Sequence, residues 1–574
     1  MRRMKHKNIW EAVVILVCVL GFGFAAAQKE GFHMDEMLSY EFSNAEFNPW
    51  IVPTQPQGRL AKFVEEEIRG SSAGETIGNV VNTVRDVLDN GRDSKLLSYR
   101  ADVYEEPVFI SREQFEDYIT VEDSDGFNYL SVYFNVKDDN HPPLHFMALH
   151  TVSSIFRYKA EPFMGCLINI LAVAGSMVLL NGIGRRLAVM LGMEEKAELL
   201  GILAAAFYGI STGALSTVLL IRMYGMLSFF CVALLFLHLK KWQSQEFERK
   251  NKLLILVTAL GFWTQYFFLF YCLLLALVMV VLLALRKNWR KLWCYIRSMM
   301  LTAVIGIAGF PFAVSDVLSS GRGVEAVQNL SSGFRGYGER LAAFGAILAD
   351  KTLVLWFALS ALLLGGIALW RGKRPAPHGE RKAALALLLI PPAGYFLLAA
   401  RMSPYYVDRY IMAVFPFVAL AGTTAVLYAA ARMKEDRAGR IAVCAAVICL
   451  AGISVWRLVN YDGEYMYKGY AAQEEIAERY SDHTCICVYA GVGYYENLKE
   501  FTHYEQTLLT TPEELADRQD RESIERLGSV VVLAKSGVEW EQLQRLLEEQ
   551  YGFTFCEELL ENSVHGDRIG LFVR

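Results

Sequence analysis

A series of long apolar stretches that contain almost no charged residue constrains this chain most. Of its 574 residues, 54% are apolar and only 20% are charged, which is too hydrophobic for a set of soluble domains. A helix needs roughly 20 apolar residues to cross the hydrocarbon core of a bilayer, and most of the stretches approach that length. They lie at 199–210, 218–239, 253–285, 299–314, 353–370, 383–400, 411–430 and 441–455. The sequence therefore predicts an α-helical polytopic membrane protein.

Lysine and arginine cluster in the segments that separate these stretches. Because Lys and Arg bias a loop toward the cytoplasm, we expect the clusters to mark the inner loops, whereas the net charge of -5 says little about orientation. The clusters lie at 2–7, 185–186, 240–252, 286–291, 371–382 and 432–440. This assignment predicts a multi-pass protein of the plasma membrane with a cytoplasmic N-terminus and an extracytoplasmic C-terminus.

The number of crossings between two inner clusters must be even, and this decides two ambiguous stretches. Residues 253–285 then form a hairpin of two short helices, and residues 143–157 form a helix at the outer interface instead of a span. The first span also resembles a signal peptide, but its apolar core is longer than usual, so we expect it to be retained. The prediction is about eleven transmembrane helices, at roughly 9–27, 163–183, 198–214, 215–239, 253–266, 267–285, 298–316, 351–370, 382–400, 410–431 and 440–456.

Two regions outside the predicted spans are too long to be simple connections. We expect residues 1–456 to form the membrane domain, in which residues 28–142 are a large first extracytoplasmic loop with amphipathic helices. Apolar residues recur at three- and four-residue steps over 76–90, which fits a helix on the bilayer as well as a helix packed on protein. Residues 457–574 alternate short β-rich runs with polar helical stretches and predict a small extracytoplasmic α/β domain.

Sequence motifs for nucleotide or nucleic-acid binding are absent from the chain. It has no Walker motif, no GxGxxG, no zinc-finger spacing and no nucleic-acid-binding patch, which excludes nucleic-acid partners and ATP-driven transport by this chain alone. Most cysteines lie in or beside predicted helices, where they act as small apolar residues. Cys485, Cys487 and Cys556 lie in the outer C-terminal region, where one disulfide is compatible with the sequence.

Asp35 and Glu36 follow the first predicted span closely, where the chain leaves the membrane. A carboxylate at the interface can act as a general base that a lipid-borne reactant and a soluble one both reach. Hydrated acidic pairs are also common in outer loops, so the pair by itself does not identify a site.

Residues 139–145 read Asp-Asn-His-Pro-Pro-Leu-His and predict a rigid corner. The two prolines fix the backbone at a helix start and aim the preceding polar residues, of which Asp139 and His141 are the candidates for lining a site. A proline-initiated interfacial helix with solvated polar residues would give the same pattern. A metal site from Asp139, His141 and His145 is a further alternative, but no other His or Cys cluster supports it, so we expect no metal and no other cofactor.

Arg222 lies in an otherwise apolar stretch that the pattern predicts as one helix. A cation near the centre of a span costs roughly 2.5–3.5 kcal/mol, which makes Arg222 a candidate for binding an anion such as a phosphate. Snorkelling to the outer interface is the alternative. Arg409 starts the tenth predicted span from the same face, and Gln265 and Tyr266 lie at the turn of the short hairpin, which also faces outward in the predicted topology.

Five short motifs follow one another in an order that resembles a known family. They are Asp35-Glu36, the pattern DxHPPL over 139–144, Arg222-Met223-Tyr224, QYFF over 265–268, and Asp408-Arg409-Tyr410 followed by Phe415-Pro416. Together they resemble glycosyltransferase family 39, the protein O-mannosyltransferases and bacterial aminoarabinose transferases with the C-type glycosyltransferase (GT-C) membrane fold. The order and spacing of the motifs carry the resemblance, which covers residues 9–456.

The resemblance implies inverting transfer of a sugar from a polyprenyl-phosphate donor to a surface glycan, lipid or protein hydroxyl on the outer face of the membrane. Asp35 matches the catalytic carboxylate that deprotonates the acceptor, and Glu36 would position it. Arg222 and Arg409 would neutralise the phosphate leaving group. The residues that would line the site are Asp139, His141, Tyr224, Gln265 and Tyr266.

The sequence departs from the family at three points. The aminoarabinose-transferase branch has Lys where His141 stands, which argues against a shared substrate. Gln265 stands where relatives often have His. The glycan-binding-like insertion of the mannosyltransferases is absent from the outer loops, which argues against a protein acceptor.

A transporter or flippase for lipid-linked sugars is the alternative function, since it also needs many helices and buried arginines. Transporters typically have related halves or interrupted helices near the midplane of the bilayer, whereas the polar candidates here gather at one predicted face. A purely structural membrane scaffold is the third hypothesis, but a scaffold would not need an arginine within a span.

Overall fold

The computed structural model is mostly helical, and the chain divides into two compact units. The structure describes residues 2–47, 50–56, 58–99, 103–247, 251–314, 316, 324–325, 328–329, 336–371, 379–433 and 437–574. One unit, here called the helical unit, consists of Met1–Gln28, Asp138–His145 and Gly165–Glu464. The other, here called the mixed unit, consists of Lys29–Lys137, Phe146–Met164 and Tyr465–Arg574.

Eight described helices of the helical unit are long and apolar enough to cross a bilayer, and the chain is therefore a multi-pass membrane protein. Two further helix pairs pass the same test only as pairs, Glu194–Gly209 with Thr212–Leu219 and Tyr337–Lys351 with Val354–Leu369, and they are bent by 56° and 78°. The described spans number up to ten if each bent pair is one span. The eight unbroken helices are Ile9–Ala26, Pro162–Leu191, Tyr224–Ser244, Phe268–Leu285, Trp289–Gly309, Arg381–Met402, Asp408–Ala431 and Ala438–Val459.

Each of the predicted spans coincides with a helix, but two details of the prediction are wrong. The predicted span 253–266 is the Lys252–Phe262 helix, whose 11 residues are too few to cross the bilayer alone. The boundary predicted between 214 and 215 is misplaced, because the Thr212–Leu219 helix continues past it and the next helix begins at Tyr224. Residues 220–223 between them form a break that hydropathy cannot reveal, since they are as apolar as the helices on either side, apart from Arg222.

The mixed unit is built around a six-stranded sheet with strand order β1-β3-β2-β4-β6-β5. The three central strands β3, β2 and β4 are parallel, and β1, β6 and β5 pair antiparallel. Its core is apolar, with Ile486, Val532, Leu547 and Phe572 fully buried, as the alternating sequence of an α/β domain predicts. The strands are β1 Phe109–Ser111, β2 Thr484–Val488, β3 Gln506–Thr510, β4 Ser529–Ala534, β5 Thr554–Leu560 and β6 Arg568–Val573.

The first large loop belongs to the mixed unit, which differs from the division into 1–456 and 457–574 expected from sequence. Strand β1 comes from that loop and pairs Ile110 with Thr507 of β3. Arg112 beside it donates hydrogen bonds to the backbone carbonyls of Ser481, His503 and Tyr504. The sequence could not show this, because a three-residue strand has no periodicity to detect.

The helices of the mixed unit are short. The helix predicted over 143–157 is present, and its 12 residues are too few to cross a bilayer. The amphipathic helix predicted over 76–90 is also present, and its apolar face is exposed at Ile77 and Leu88. Cys485, Cys487 and Cys556 are free thiols. The main helices are Met34–Asn44, Ala73–Asn90, Arg112–Ile119, Tyr129–Asn135, Leu144–Ile155, Tyr470–Arg479, Pro512–Asp517 and Trp540–Tyr551.

A buried polar cluster lies beside the sheet of the mixed unit. The Lys535 ammonium donates to Asp567 (2.9 Å), Glu496 (3.0 Å) and the side-chain oxygen of Asn497 (2.8 Å). Glu500 accepts a hydrogen bond from Asn497 Nδ2 and is fully buried. Burial raises the pKa of the Glu500 carboxyl to about 8, against the opposing effects of the Asn497 hydrogen bond and the Lys535 charge.

The substitution Glu500→Gln should raise the apparent melting temperature of the full chain in detergent at pH 8, by on the order of 2 °C, but not at pH 4. The folded chain keeps the Glu500 proton up to about pH 8, whereas the unfolded chain releases it above the ordinary value of 4.5. Wild-type stability therefore falls as pH rises between these values, and glutamine removes that loss. Melting curves from pH 4 to 9, with exposed Glu549→Gln as the matched control, test this; identical pH slopes in all three proteins would contradict it.

Candidate active site

Asp35 and Glu36 lie in the first turn of the Met34–Asn44 helix of the mixed unit. His33 caps this helix, since its Nδ1 accepts a hydrogen bond from the backbone N–H of Asp35 at 3.0 Å. The Glu36 carboxylate in turn accepts from the backbone N–H of His33 at 2.7 Å. This reciprocal capping box fixes the start of the helix, and the positive end of the helix dipole favours both carboxylates there.

The two carboxylates differ in what surrounds them. Glu36 Oε2 lies 3.0 Å from Lys29 Nζ in an ion pair whose two side chains are fully buried. Asp35 Oδ2 lies 3.7 Å from His33 Nδ1, and the Asp35 side chain is 20% exposed. Glu36 therefore holds the segment in place, while Asp35 is the carboxylate that a reactant can reach.

The C-terminal part of the mixed unit holds the segment that precedes Asp35. Lys29 also donates to the backbone carbonyl of Tyr465, and its ammonium lies 4.7 Å from the centroid of the Tyr467 ring. The backbone N–H of Glu30 donates to the carbonyl of Met466 at 3.0 Å. Residues 465–467 thus fix the position of the first helical turn, and sequence gave no signal for the role of Lys29 in this contact.

In the helical unit, the rigid corner and Arg222 form one polar group. Asp139 Oδ2 lies 3.0 Å from His141 Nδ1, which lies 3.4 Å from Arg222 Nη2. Asp139 and Arg222 are 9% and 5% exposed. The backbone N–H of Leu144, where the next helix begins, donates to the carbonyl of Trp263 at 2.9 Å and anchors the corner on the short hairpin.

The charges of this group are set by burial and by one another. Burial acts to raise the pKa of Asp139, but His141, Arg222 and the backbone N–H of Asn140 hold it below its ordinary value of 3.8. Burial lowers the pKa of His145 to about 3, and the charges of Arg222 and His141 act in the same direction. At neutral pH, Asp139 is therefore an anion and His145 is neutral, and the guanidinium of Arg222 is the cation they face.

Arg222 does not lie in a helix, which corrects the sequence prediction. It lies in the break at 220–223, between the Thr212–Leu219 and Tyr224–Ser244 helices. Asn169 of the Pro162–Leu191 helix donates its side-chain amide to the carbonyl of Leu220, one of the backbone groups that the break releases. Gly225 permits this contact, because a Cβ there would lie 2.4 Å from Asn169 Oδ1. The break presents a buried cation without leaving this carbonyl unsatisfied.

The other predicted residues come together through aromatic contacts. The rings of Tyr224 and Tyr410 meet edge to face at 6.5 Å, and Phe267 lies 5.7 Å from Tyr410. The Arg409 guanidinium lies 5.6 Å from the Tyr410 ring. The three motifs RMY, QYFF and DRY therefore meet in the helical unit, although they are separated by up to about 190 residues in sequence.

Gln265 and Tyr266 lie at the turn of the short hairpin, as predicted. Gln265 is buried at 5% exposure. The Tyr266 hydroxyl donates to the Asp316 carboxylate at 2.6 Å. The sequence analysis did not single out Asp316, because it is the last residue of the predicted span 298–316 and resembles an ordinary polar residue at the end of a span.

A second buried ion-pair group lies beside Arg409. Asp408 is 2% exposed, accepts a hydrogen bond from the Ser216 hydroxyl, and lies 3.7 Å from Lys351 Nζ. Lys351 also contacts Glu464 at 2.7 Å and the Tyr461 hydroxyl at 3.2 Å. In the sequence, Lys351 stands out only as a lysine at the edge of an apolar stretch.

The part of the chain that the structure describes contains no group of three His, Cys, Asp or Glu side chains that could hold a metal ion. Asp139 and His141 contact each other, and His145 is not joined with them in such a group. In the helical unit, Arg222 offers a cation to an anion. In the mixed unit, Asp35 offers a partly exposed carboxylate.

Comparison with solved structures gives the fold. ArnT from Cupriavidus metallidurans bound to undecaprenyl phosphate matches 98% of this chain and 98% of its own, at 11% identity and a TM-score of 0.51. The same protein in the apo state matches 80% of this chain and 91% of its own, at 13% identity and a TM-score of 0.41. No protein-family model and no curated protein sequence matches. The chain has the GT-C membrane fold with a small C-terminal sheet region.

A third structure is more distant. An oligosaccharyltransferase from Archaeoglobus fulgidus, tethered to an acceptor peptide that contains an NVT sequon, matches 68% of this chain and 60% of its own, at 12% identity and a TM-score of 0.34.

The substitution Asn169→Leu should lower the free energy of unfolding of the full chain by about 0.5–1.5 kcal/mol, because the Leu220 carbonyl at the break loses the Asn169 donor, although it keeps the backbone N–H of Arg222. Ser176→Ala is the matched control, since its hydroxyl donates only to the Ala172 carbonyl of its own helix. Detergent melting curves of both variants measure the difference. Equal stability of the two would mean that the break does not depend on Asn169.

Proposed function

We propose that this protein is a membrane glycosyltransferase that moves a sugar from a polyprenyl-phosphate donor to an acceptor on the outer face of the plasma membrane. The observation that carries the proposal is the buried Arg222, held in a helix break beside Asp139 and His141. A guanidinium in such a place is suited to bind a phosphate bidentately, and a lipid phosphate reaches it from the bilayer. The GT-C fold and the order of the motifs support the same function.

In the proposed reaction, Asp35 removes the proton from the acceptor hydroxyl as the acceptor oxygen attacks the anomeric carbon of the sugar. The bond between that carbon and the phosphate oxygen breaks, and the phosphate leaves with the electron pair. Configuration at the anomeric carbon inverts, since a single displacement occurs. The partial exposure of Asp35 supports this role, as does the complete burial of Glu36 with Lys29, which suits a positioning residue.

Arg222 and Arg409 are assigned to the phosphate. Negative charge grows on the phosphate as the bond to the sugar breaks, and a guanidinium fixed in advance stabilises that charge without reorganisation. Asp139 and His141 are assigned to positioning Arg222, and Tyr224, Gln265 and Tyr266 to contacts with the sugar or carrier. The undecaprenyl phosphate bound to ArnT supports a polyprenyl carrier as the donor lipid. The acceptor remains a surface glycan, lipid or protein hydroxyl.

A transporter or flippase for lipid-linked sugars is the second candidate, and one observation favours it. The bent helix pairs and the break at 220–223 are interrupted helices of the kind that transporters use. A transporter needs the arginines but not a catalytic carboxylate. A variant at Asp35 that loses sugar transfer but still binds the lipid carrier would therefore support the glycosyltransferase over the transporter.

The substitution Asp35→Asn should lower the rate of sugar transfer by about 10²–10⁴-fold, because asparagine cannot accept the acceptor proton. Purified full-length protein is incubated with a panel of undecaprenyl-phosphate-linked hexoses and pentoses and with outer-surface lipid and glycan extracts, and released undecaprenyl phosphate is measured by mass spectrometry. Asp482→Asn is the matched control, since this exposed carboxylate of the same unit contacts only its neighbour His483 in the described structure. Transfer at the wild-type rate by the Asp35 variant would rule out its role.

The substitution Arg222→Gln should weaken binding of undecaprenyl phosphate by about tenfold or more, because a charged hydrogen bond contributes roughly 1.5–3 kcal/mol. Arg222→Lys should lose less, since it keeps the charge but not the bidentate geometry. Affinity is measured by tryptophan-fluorescence titration, with melting temperature as the check on folding. Binding by Arg222→Gln as tight as that of the wild type would exclude Arg222 as the phosphate ligand.

A further inference from the structure

An opening in the helical unit lies at the ends of its helices that carry the basic clusters. Its volume is about 590 Å³, and it is lined by three arginines, one glutamate and the indole of Trp242. We call it the arginine cavity; besides Trp242, its polar lining is Arg185, Arg186, Gln243, Gln245, Arg286 and Glu380. These are different residues from those of the candidate active site.

Four helix ends converge on the arginine cavity. The Pro162–Leu191 helix contributes Arg185 and Arg186 from its last turns, and the Tyr224–Ser244 helix contributes Trp242 and Gln243. Arg286 follows the Phe268–Leu285 helix, and Glu380 precedes the Arg381–Met402 helix. All four helix ends adjoin loops that the positive-inside pattern assigns to the cytoplasm.

Two of the three arginines already have carboxylate partners. Arg286 pairs with Glu380 at 2.6 Å and stacks 3.9 Å from the centroid of Trp242. Trp242 itself donates its indole N–H to Glu380. Arg185 lies 3.2 Å from both Glu11 and Glu198. These contacts hold the two guanidinium groups in place and compensate their charges.

Arg186 is different. It donates to the Gln243 side-chain oxygen at 2.6 Å, and its guanidinium lies 5.2 Å from the Phe236 ring. Within the described residues, no carboxylate lies within ion-pair distance of it. Arg186 is therefore the lining arginine whose charge no described carboxylate compensates, and an anion that enters the cavity would compensate it.

Part of the cavity wall is apolar. Val189 and Met190 line the cavity one turn beyond Arg186, and Val189 is 44% exposed. A ligand that fits needs a phosphate or similar anion at one end and an apolar portion at the other. Basic cavities between transmembrane helices at the cytoplasmic side are suited to lipid headgroups of this kind.

We infer that the arginine cavity binds the phosphate of an anionic phospholipid from the inner leaflet, with Arg186 as the residue that contacts it. Arg185 and Arg286 add their field, and Val189 and Met190 accept the start of the acyl chains. The ligand class is a phosphate monoester or diester; a lipid source is favoured over a soluble phosphate because of the apolar wall. Bound there, the lipid would join four helix ends and stabilise the helical unit.

The test uses full-length protein purified in a mild detergent, with added phosphatidylglycerol or phosphatidylcholine as probes. Native mass spectrometry counts the lipids retained, and titration gives the affinity. We expect wild type to retain phosphatidylglycerol in preference to phosphatidylcholine, and Arg186→Gln to bind phosphatidylglycerol about fivefold more weakly, which corresponds to the loss of one arginine at an anionic surface.

Arg297→Gln is the matched control, because it removes the same charge from an exposed site outside the cavity. Phosphatidylglycerol should also raise the melting temperature of the control more than that of Arg186→Gln.

Soluble sn-glycerol 3-phosphate at millimolar concentration distinguishes the two sources of phosphate. No displacement of lipid supports the lipid source. Displacement at low concentration would overturn it in favour of a soluble phosphate ligand. Equal phosphatidylglycerol affinity of Arg186→Gln and Arg297→Gln would overturn the assignment of the cavity altogether.

Discussion

The buried guanidinium of Arg222 is the interaction on which the candidate site of the helical unit depends. An uncompensated cation in an apolar environment is costly. Here the carboxylate of Asp139, whose pKa is held below its ordinary value, lies on the other side of His141 from the Arg222 guanidinium. Arg222 also lies in a break between two helices. A break in a membrane helix needs other hydrogen-bond donors for the backbone carbonyls that it frees. Asn169 supplies one such donor, and Gly225 leaves room for it. The charge of Arg222, the break at 220–223 and the packing of Asn169 against Gly225 are therefore linked.

Buried cations in the rest of the chain follow the same rule. Lys29 is neutralised by Glu36, Lys351 by Asp408 and Glu464, and Lys535 by Asp567 and Glu496. The pair of Lys29 and Glu36 bears most directly on the proposed function, because it fixes the helical turn that carries Asp35. Since Lys29 is also held by the Tyr465 carbonyl and the Tyr467 ring, the start of the C-terminal region helps to position that turn.

We assign Arg222 and Arg186 to two different kinds of anion, because the surroundings of the two arginines differ. Arg222 is buried and lies 3.4 Å from His141, which in turn lies 3.0 Å from the carboxylate of Asp139; these surroundings suit a charge that develops during a reaction. Arg186 is partly open, lies beside other arginines, and has an apolar wall next to it, which suits a resident lipid. The first arrangement must be fixed before the reaction to be effective, whereas the second gains stability from occupancy.

The sequence by itself determined the helices, because runs of apolar residues without charge have few stable alternatives in a bilayer. It also predicted Asp35, Asp139, His141, Arg222 and Arg409 as candidate site residues, of which Arg222 lies within a predicted span, where a charge is costly. It could not show that Arg222 lies in a break, since residues 220–223 have the hydropathy of a helix. Nor could it show that Lys29 pairs with Glu36, that Lys351 pairs with Asp408, or that strand β1 joins the C-terminal sheet. Hydropathy and charge depend on local composition, whereas ion pairs, breaks and strand pairing depend on which distant segments meet, and only the tertiary structure decides that.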